Sequence, residues 1–255
     1  MKHQFQKKYQ IKSRKWAETF IGIQVDQSNF PTSLEIHQQA HIEQTVSKYR
    51  LTEAKNEKTP MKIEEREVGQ SSLLVDKRLY QGLVGILNYF ANGSRPDICF
   101  AVNWLSRRNS NPTKAHLKQA KRCLKYLHCT SHYRLRIEQL RLPIRVTVYV
   151  DSSWGNGLDR RSICGYAVFI NTNLIQGVVL YTDNQGSLKM LQNRVSTARS
   201  KHIDIKLQCM KRAVLEGLIK AQYIESENNV ADIFTKPLEF VKFKRAVEHL
   251  LLATE

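Results

Sequence analysis

The pattern of hydrophobic residues changes character at Pro143. Before it, apolar side chains recur at the spacing of helices, as in residues 76–92 and 96–108. After it come short runs rich in β-branched residues, alternating with helix-like segments. Strands that alternate with helices in this way are typical of an α/β domain with a mixed sheet. We therefore predict an α/β (α+β) chain with two regions, residues 1–140 and 141–255.

The first region is predicted to be mostly helical after an initial β element. A strand is predicted over 19–26, a linker over 55–72, and helices over 40–51, 76–92, 96–108 and 114–127. For the last helix, Asn111 is expected to be the cap and Pro112 the first helical residue. In the second region, strands are predicted over 145–151, 162–170, 177–182 and 219–224, and helices over 185–192, over 204–217 and from 229 onward.

The chain is strongly basic. Its 255 residues include 40 Lys or Arg against 23 Asp or Glu, a formal net charge of +17. An excess of this size favours polyanionic partners such as nucleic acid or an anionic membrane surface. No segment approaches the roughly 20 apolar residues that span a bilayer, and no signal-type apolar run follows the start. We therefore expect a cytoplasmic or nuclear protein that is neither secreted nor in a membrane.

The basic excess is concentrated between residues 101 and 136, where no Asp or Glu occurs. The basic residues there are Arg107, Arg108, Lys114, Lys118, Lys121, Arg122, Lys125, Arg134 and Arg136. The four lysines recur at the spacing of one helix face, with Leu and Ala on another. Such a face is either a solvated lysine surface or a contact for the phosphates of a nucleic acid.

Three Asp residues follow predicted strands. Asp151 and Asp183 end two of them, and Asp232 lies at a helix start after a third. Carboxylates gathered at strand ends can hold a pair of Mg²⁺ ions for attack on a phosphodiester. The alternative is that each Asp caps a turn or a helix.

A series of short blocks occurs in the order in which the copia-type retrotransposon Pol polyproteins carry them, from Trp16 almost to the end of the chain. The blocks are YQGLVGILNY (80–89), SRPDI (94–98), NPTKAH (111–116), YVDSSWG (149–155), RRSICGY (160–166), TDNQ (182–185), SKHIDI (200–205) and ADIFTKPL (231–238). The chain therefore strongly resembles the part of that family that follows the polymerase palm.

The resemblance implies a reverse-transcriptase thumb and connection in residues 1–140 and a ribonuclease H domain in residues 141–255. Asp151, Asp183 and Asp232 match three of the four carboxylates that hold Mg²⁺ or Mn²⁺ in that family, whose substrate is an RNA/DNA hybrid. Arg160 and Arg161 match a basic pair that either contacts the hybrid's backbone or forms surface salt bridges. The polymerase active site has no counterpart, because the segment 149–152 lacks a second Asp.

One departure from the family bears on activity. In the family, a helix with the fourth carboxylate, a Glu, precedes the strand that ends in the second Asp. Here the residues between Asp151 and Asp183 include one acid, Asp159, and no Glu. The helix is therefore predicted to be missing, with the seam between Asn173 and Gly177. Without it, catalysis should be impaired and one face of the sheet should lose its cover.

Three functions follow as hypotheses. The first is a segment of Pol that binds an RNA/DNA hybrid or another duplex with impaired catalysis, alone or beside an intact Pol polyprotein. The second is an active Mg²⁺-dependent ribonuclease H that cleaves RNA in RNA/DNA hybrids. The third is a non-functional product of a decayed transposon.

Overall fold

The structure is a computed structural model, which describes residues 18–53, 56–62, 75–153, 163–174, 180–182, 212, 216, 220–250 and 252–253. Its helices and two β-sheets confirm the predicted α/β (α+β) class. The predicted helices 185–192 and 204–217 lie outside the described residues, apart from Arg212 and Glu216.

The described residues form α-helices, short 3-10 helices and β-strands. In chain order, the α-helices are α1 Gln39–Lys48, α2 Lys77–Gly93, α3 Cys99–Ser106, α4 Lys114–Cys129 and α5 Phe240–His249, and 3-10 helices cover Pro96–Ile98 and Val230–Phe234. The strands are β1 Thr19–Phe20, β2 Ile23–Asp26, β3 Ser33–His37, β4 Arg134–Glu138, β5 Val146–Ser153, β6 Ile163–Ile170, β7 Asn173–Leu174, β8 Leu180–Thr182, β9 Gln222–Tyr223 and β10 Leu252–Ala253.

The first sheet, sheet I, has the strand order β1-β2-β3-β4-β10, and all its neighbouring strands are antiparallel. The prediction of one strand over 19–26 was wrong, because the chain reverses between β1 and β2. Ile21 and Gly22 take φ angles of 48° and 77° at this turn. A hairpin turn with two positive φ angles matches the twist of its strands, and glycine adopts that conformation at low cost.

Helix α4 begins at Lys114, so the predicted cap at Asn111 was wrong. Its N-cap is Thr113, whose hydroxyl accepts the backbone N–H of His116 at 3.4 Å. The ring Nδ1 of His116 accepts the backbone N–H of Thr113 at 3.1 Å in return. This reciprocal pair of bonds satisfies two N–H groups that the first helical turn leaves free, and it places the helix start after Pro112.

The second sheet, sheet II, is mixed, with the order β7-β6-β5-β8-β9. Strands β5, β6 and β7 form an antiparallel meander, whereas β8 runs parallel to β5 and β9 runs parallel to β8. Strand β5 continues to Ser153, two residues past its predicted end at residue 151, because its ladder with β6 extends to the pair Ser153–Ile163.

The hydrophobic core includes residues from both predicted regions. The ring of Tyr126 in α4 meets the ring of Phe243 in α5 edge to face, with centroids 5.6 Å apart. Beside β4 and β7, the backbone N–H of Glu138 donates to the side-chain oxygen of Asn173 at 2.6 Å. The division at residue 140 stays a prediction.

Among the described helices, none has both the length and the apolar character needed to cross a lipid bilayer.

Candidate functional site

Two of the three predicted carboxylates lie close together. Asp151 is on β5 opposite Gly165 of β6, and Asp232 is in the 3-10 helix Val230–Phe234, which packs on these two strands. Both side chains are buried, Asp232 completely. The third predicted residue, Asp183, lies outside the described residues.

Gly165 and Asn229 determine how closely the 3-10 helix approaches the sheet. A Cβ atom on Gly165 would lie 2.7 Å from Cβ of Phe234 and 2.8 Å from Cγ2 of Thr235, so only glycine allows this contact. The side-chain amide of Asn229 donates to the carbonyl oxygen of Val150 at 3.1 Å, while its oxygen accepts the N–H of Ala231 at 3.2 Å. Asn229 therefore caps the helix and joins it to the strand residue next to Asp151.

Two lysines and a threonine surround the carboxylates. Nζ of Lys236 lies 2.9 Å from Oδ1 of Asp232 and 3.9 Å from Oδ2 of Asp151. Nζ of Lys242, from α5, lies 2.5 Å from Oδ2 of Asp232. The hydroxyl of Thr235 donates to Oδ2 of Asp151. The Lys236 contact with Asp232 is ionic rather than a well-aligned hydrogen bond, since Oδ1 accepts none in the described structure.

This arrangement does not fit a divalent metal ion. Mg²⁺ binds through oxygen ligands, and among the described residues both carboxylate oxygens of Asp232 contact an ammonium group. No group of three or more His, Cys, Asp and Glu side chains is placed for metal binding within the described ranges. The predicted site for Mg²⁺ or Mn²⁺ with Asp183 as a third ligand stays a prediction.

A second candidate surface is the lysine face of α4, formed by Lys114, Lys118, Lys121 and Lys125. Lys114 and Lys118 are exposed, and the other two are half-exposed. Within the part of the chain that the structure describes, none of the four has a salt bridge. The other side of α4 is buried in the core through residues such as Ala120, Leu124 and Leu127. The helix therefore directs four uncompensated charges away from the core.

The predicted arginines differ in their surroundings. Arg122 forms a salt bridge with Glu57 and donates to the hydroxyl of Thr59 at 3.3 Å. The guanidinium of Arg108 lies over the ring of Trp104, 5.3 Å from its centroid, and Arg107 is half-buried. A guanidinium stacked on an aromatic ring keeps N–H donors at its edge. Arg160 and Arg161 lie outside the described residues.

The sequence interpretation missed Lys236 and Lys242 as partners of Asp232. The first had a local signal, because Lys236 follows Asp232 at the four-residue spacing of helical ion pairs. The second had none, since α5 is a separate helix whose direction determines where Lys242 lies.

The chain was compared with family models, solved structures and curated proteins. No family model and no solved structure matches it. It is 26% identical to a retrovirus-related Pol polyprotein from transposon RE1 of Arabidopsis thaliana, over 93% of this chain and 19% of that protein. It is 24% identical to the corresponding polyprotein from transposon TNT 1-94 of Nicotiana tabacum, over 97% of this chain and 22% of the relative.

A shorter relative is an uncharacterized mitochondrial protein of Arabidopsis thaliana, 30% identical over 61% of this chain and 64% of that protein. The chain spans about a fifth of the length of the two Pol polyproteins. The RE1 alignment covers 283 positions, more than the 255 residues of the whole chain, so the relative has positions with no counterpart here. The predicted resemblance is confirmed, because nearly the whole of this chain is similar to a segment of the retrovirus-related Pol polyproteins of copia-type transposons.

Proposed function

We propose that this chain is a nucleic-acid-binding segment of a copia-type Pol polyprotein, which holds an RNA/DNA hybrid or another duplex through its phosphates and has impaired ribonuclease H catalysis. The observation that carries the proposal is the lysine face of α4, whose four side chains have no salt bridge within the described structure. The Pol relatives support a nucleic-acid partner over an anionic membrane.

The geometry of α4 suits a phosphate backbone. Lys114 and Lys125 are eleven residues apart, or about 16 Å along a helix that rises about 1.5 Å per residue. Four ammonium groups spread over that length can follow successive phosphates of one strand. Such contacts release counterions and do not depend on base sequence. Arg108, stacked on Trp104 near the end of α3, adds a guanidinium whose free edge suits a phosphate.

One observation supports impaired catalysis. Five residues separate Leu174 at the end of β7 from Leu180 at the start of β8, although β6 and β5 lie between these strands in sheet II. A connection that reaches a parallel strand through a helix takes a dozen or more residues, so this one is too short for the Glu-bearing helix of the family.

The binding proposal is tested by the salt dependence of affinity. Fluorescence anisotropy with a labelled RNA/DNA hybrid, at several salt concentrations and without divalent cations, compares wild type with the double variant Lys114→Gln, Lys118→Gln. For each phosphate that the variant no longer neutralises, the slope of log affinity against log salt should fall by about 0.9. The matched control Lys220→Gln, Lys244→Gln removes the same charge elsewhere and should keep the wild-type slope. Equal slopes for the two double variants would refute the lysine face as the binding surface.

Catalysis is tested on the same hybrid with Mg²⁺ or Mn²⁺, with Asp151→Asn as the control. We expect retention of the hybrid on a gel without cleavage. Cleavage that disappears in Asp151→Asn would instead establish an active ribonuclease H. If the hybrid is neither retained nor cleaved, the hypothesis of a non-functional product of a decayed transposon is supported instead.

A further inference from the structure

The ammonium group of Lys236 lies between the two buried carboxylates, 2.9 Å from Oδ1 of Asp232 and 3.9 Å from Oδ2 of Asp151. We propose that Lys236 is a resident counter-ion of this carboxylate pair and that it competes with divalent cations for the position between Asp151 and Asp232. The inference goes beyond nucleic-acid binding, because it concerns an ion site on a different surface from the lysine face of α4.

Among the described residues, the charges around the pair balance. Lys242 contributes a second ammonium group at Oδ2 of Asp232, so two positive and two negative charges of the described structure meet in the cluster. Because Asp232 is completely buried, its attraction to each ammonium is screened less than it would be at the surface. A divalent cation that entered would have to displace at least one ammonium group.

The backbone keeps Lys236 in place. It follows the 3-10 helix of Asp232, and its own backbone N–H donates to the carbonyl oxygen of Asp232 at 3.2 Å. Thr235, the residue before it, donates its hydroxyl to Asp151. The chain at Thr235 and Lys236 is therefore hydrogen-bonded to both Asp residues, and this keeps the side chain of Lys236 beside the two carboxylates.

The same side chain can leave. It is 37% exposed, so its ammonium group has a path to solvent along which it can withdraw while the backbone stays fixed. Lys236 therefore sets the affinity of this carboxylate pair for a divalent cation, and removing its charge opens the site. This effect is separate from the proposed loss of the Glu-bearing helix.

The test measures Mn²⁺ binding to the full chain from the decrease in the electron paramagnetic resonance signal of free Mn²⁺. Lys236→Met keeps the length of the side chain and removes its charge. Removing an opposing charge at this distance should tighten Mn²⁺ binding about tenfold or more. The matched control Lys244→Met removes one charge from the exposed side of α5 and should bind Mn²⁺ as wild type does. Adding Asp151→Asn to Lys236→Met should abolish the gain.

Equal Mn²⁺ affinity in wild type and a folded Lys236→Met variant would overturn the proposal. Circular dichroism establishes whether the variant is folded.

The wild-type chain supplies a second measurement that needs no variant at this position. The thermal unfolding midpoint of the wild-type chain should be the same in MgCl₂ and in KCl of equal ionic strength. A midpoint that rises only with Mg²⁺, and does not rise in Asp151→Asn, would also overturn the proposal. Hybrid binding without divalent cations is measured separately, so failure of this inference and failure of the proposed function can be told apart.

Discussion

The guanidinium of Arg95 and the carboxylate of Asp97 form a bidentate ion pair in the interior, with Nε to Oδ1 at 3.0 Å and Nη2 to Oδ2 at 2.7 Å. Each residue is 1% exposed. The hydroxyl of Tyr126 donates to Oδ2 of Asp97, and Arg95 also donates to the carbonyl oxygen of Thr130 at 2.9 Å. The pair therefore joins the 3-10 helix Pro96–Ile98 to the C-terminal end of α4.

Substitution of Arg95 should strongly destabilise the fold. Arg95→Met leaves the Asp97 carboxylate buried without its cation, which typically costs about 3–5 kcal/mol. The matched control is Arg136→Met, which breaks a partly exposed pair with Glu35 and should cost about 1 kcal/mol or less. Urea unfolding followed by circular dichroism measures both changes in stability, and equal changes would contradict a special role for the buried pair.

The close contact at Gly165 should not tolerate a methyl group. Gly165→Ala would place Cβ within 3 Å of Phe234 and Thr235, and crowding of this kind typically costs about 1–3 kcal/mol. The control is Gly85→Ala, because nothing lies within 4 Å of a Cβ there and the position is inside α2. That change should stabilise the protein by about 0.5–1 kcal/mol. Chemical denaturation compares the two variants, and a neutral Gly165→Ala would show that the 3-10 helix is free to move.

Stability should fall as the pH falls below the ordinary histidine range. Burial, and then the charge of Arg108, lower the pKa of His116 below its ordinary value of 6.5. Between the lowered value and 6.5 the unfolded chain binds more protons than the folded one, so the free energy of unfolding decreases on acidification. Burial likewise lowers the pKa of His37 and of His249, so these residues contribute in the same direction.

The pH prediction is checked by the urea midpoint of wild type and His116→Gln between pH 5 and 7.5. The wild-type midpoint should drop towards pH 5, and the variant should show a shallower drop because one titrating group is gone. A midpoint that is constant over this range, or that rises on acidification, would contradict the lowered pKa values of these histidines.

The ion pair of Arg122 and Glu57 should contribute little to nucleic-acid binding. The double change Glu57→Gln, Arg122→Gln removes the pair without altering the net charge, since each charge is compensated by the other. Hybrid affinity and its salt dependence should therefore stay near wild type, whereas Lys118→Gln should lower both. Anisotropy titrations at two salt concentrations distinguish these outcomes, and an equal decrease in both variants would place Arg122 among the phosphate contacts.

The helices were easier to predict than the strands of sheet I. The periodic apolar residues of α2 and α4 located both helices to within a few residues. Strand β3 was not predicted, although Ser33–His37 alternates polar and apolar residues, because the segment has only two apolar residues and its partner β4 is about a hundred residues away. The break between β1 and β2 had a signal in Gly22, which was interpreted as part of a continuous strand.

The carboxylate cluster was predictable only in part. Asp151 and Asp232 could be matched to a family pattern, and the two carboxylates do come together around Lys236. Their cations could not be found in the same way, because Lys242 reaches Asp232 only after α5 has packed against the 3-10 helix. Tertiary packing, which a local pattern does not encode, decides which charges meet.

Both sheets end on very short strands. As far as the structure describes the chain, sheet I is bordered by β1 and β10 and sheet II by β7 and β9, and each of these strands has two residues. A sheet edge presents unpaired backbone N–H and C=O groups that can template the addition of a strand from another molecule. Two-residue borders themselves offer little backbone for such pairing, but they also cover little of their neighbours. Strand β6 pairs with β7 only through Phe169 and Ile170, so most of its outer edge has no strand partner among the described residues and is where sheet II would accept an added strand.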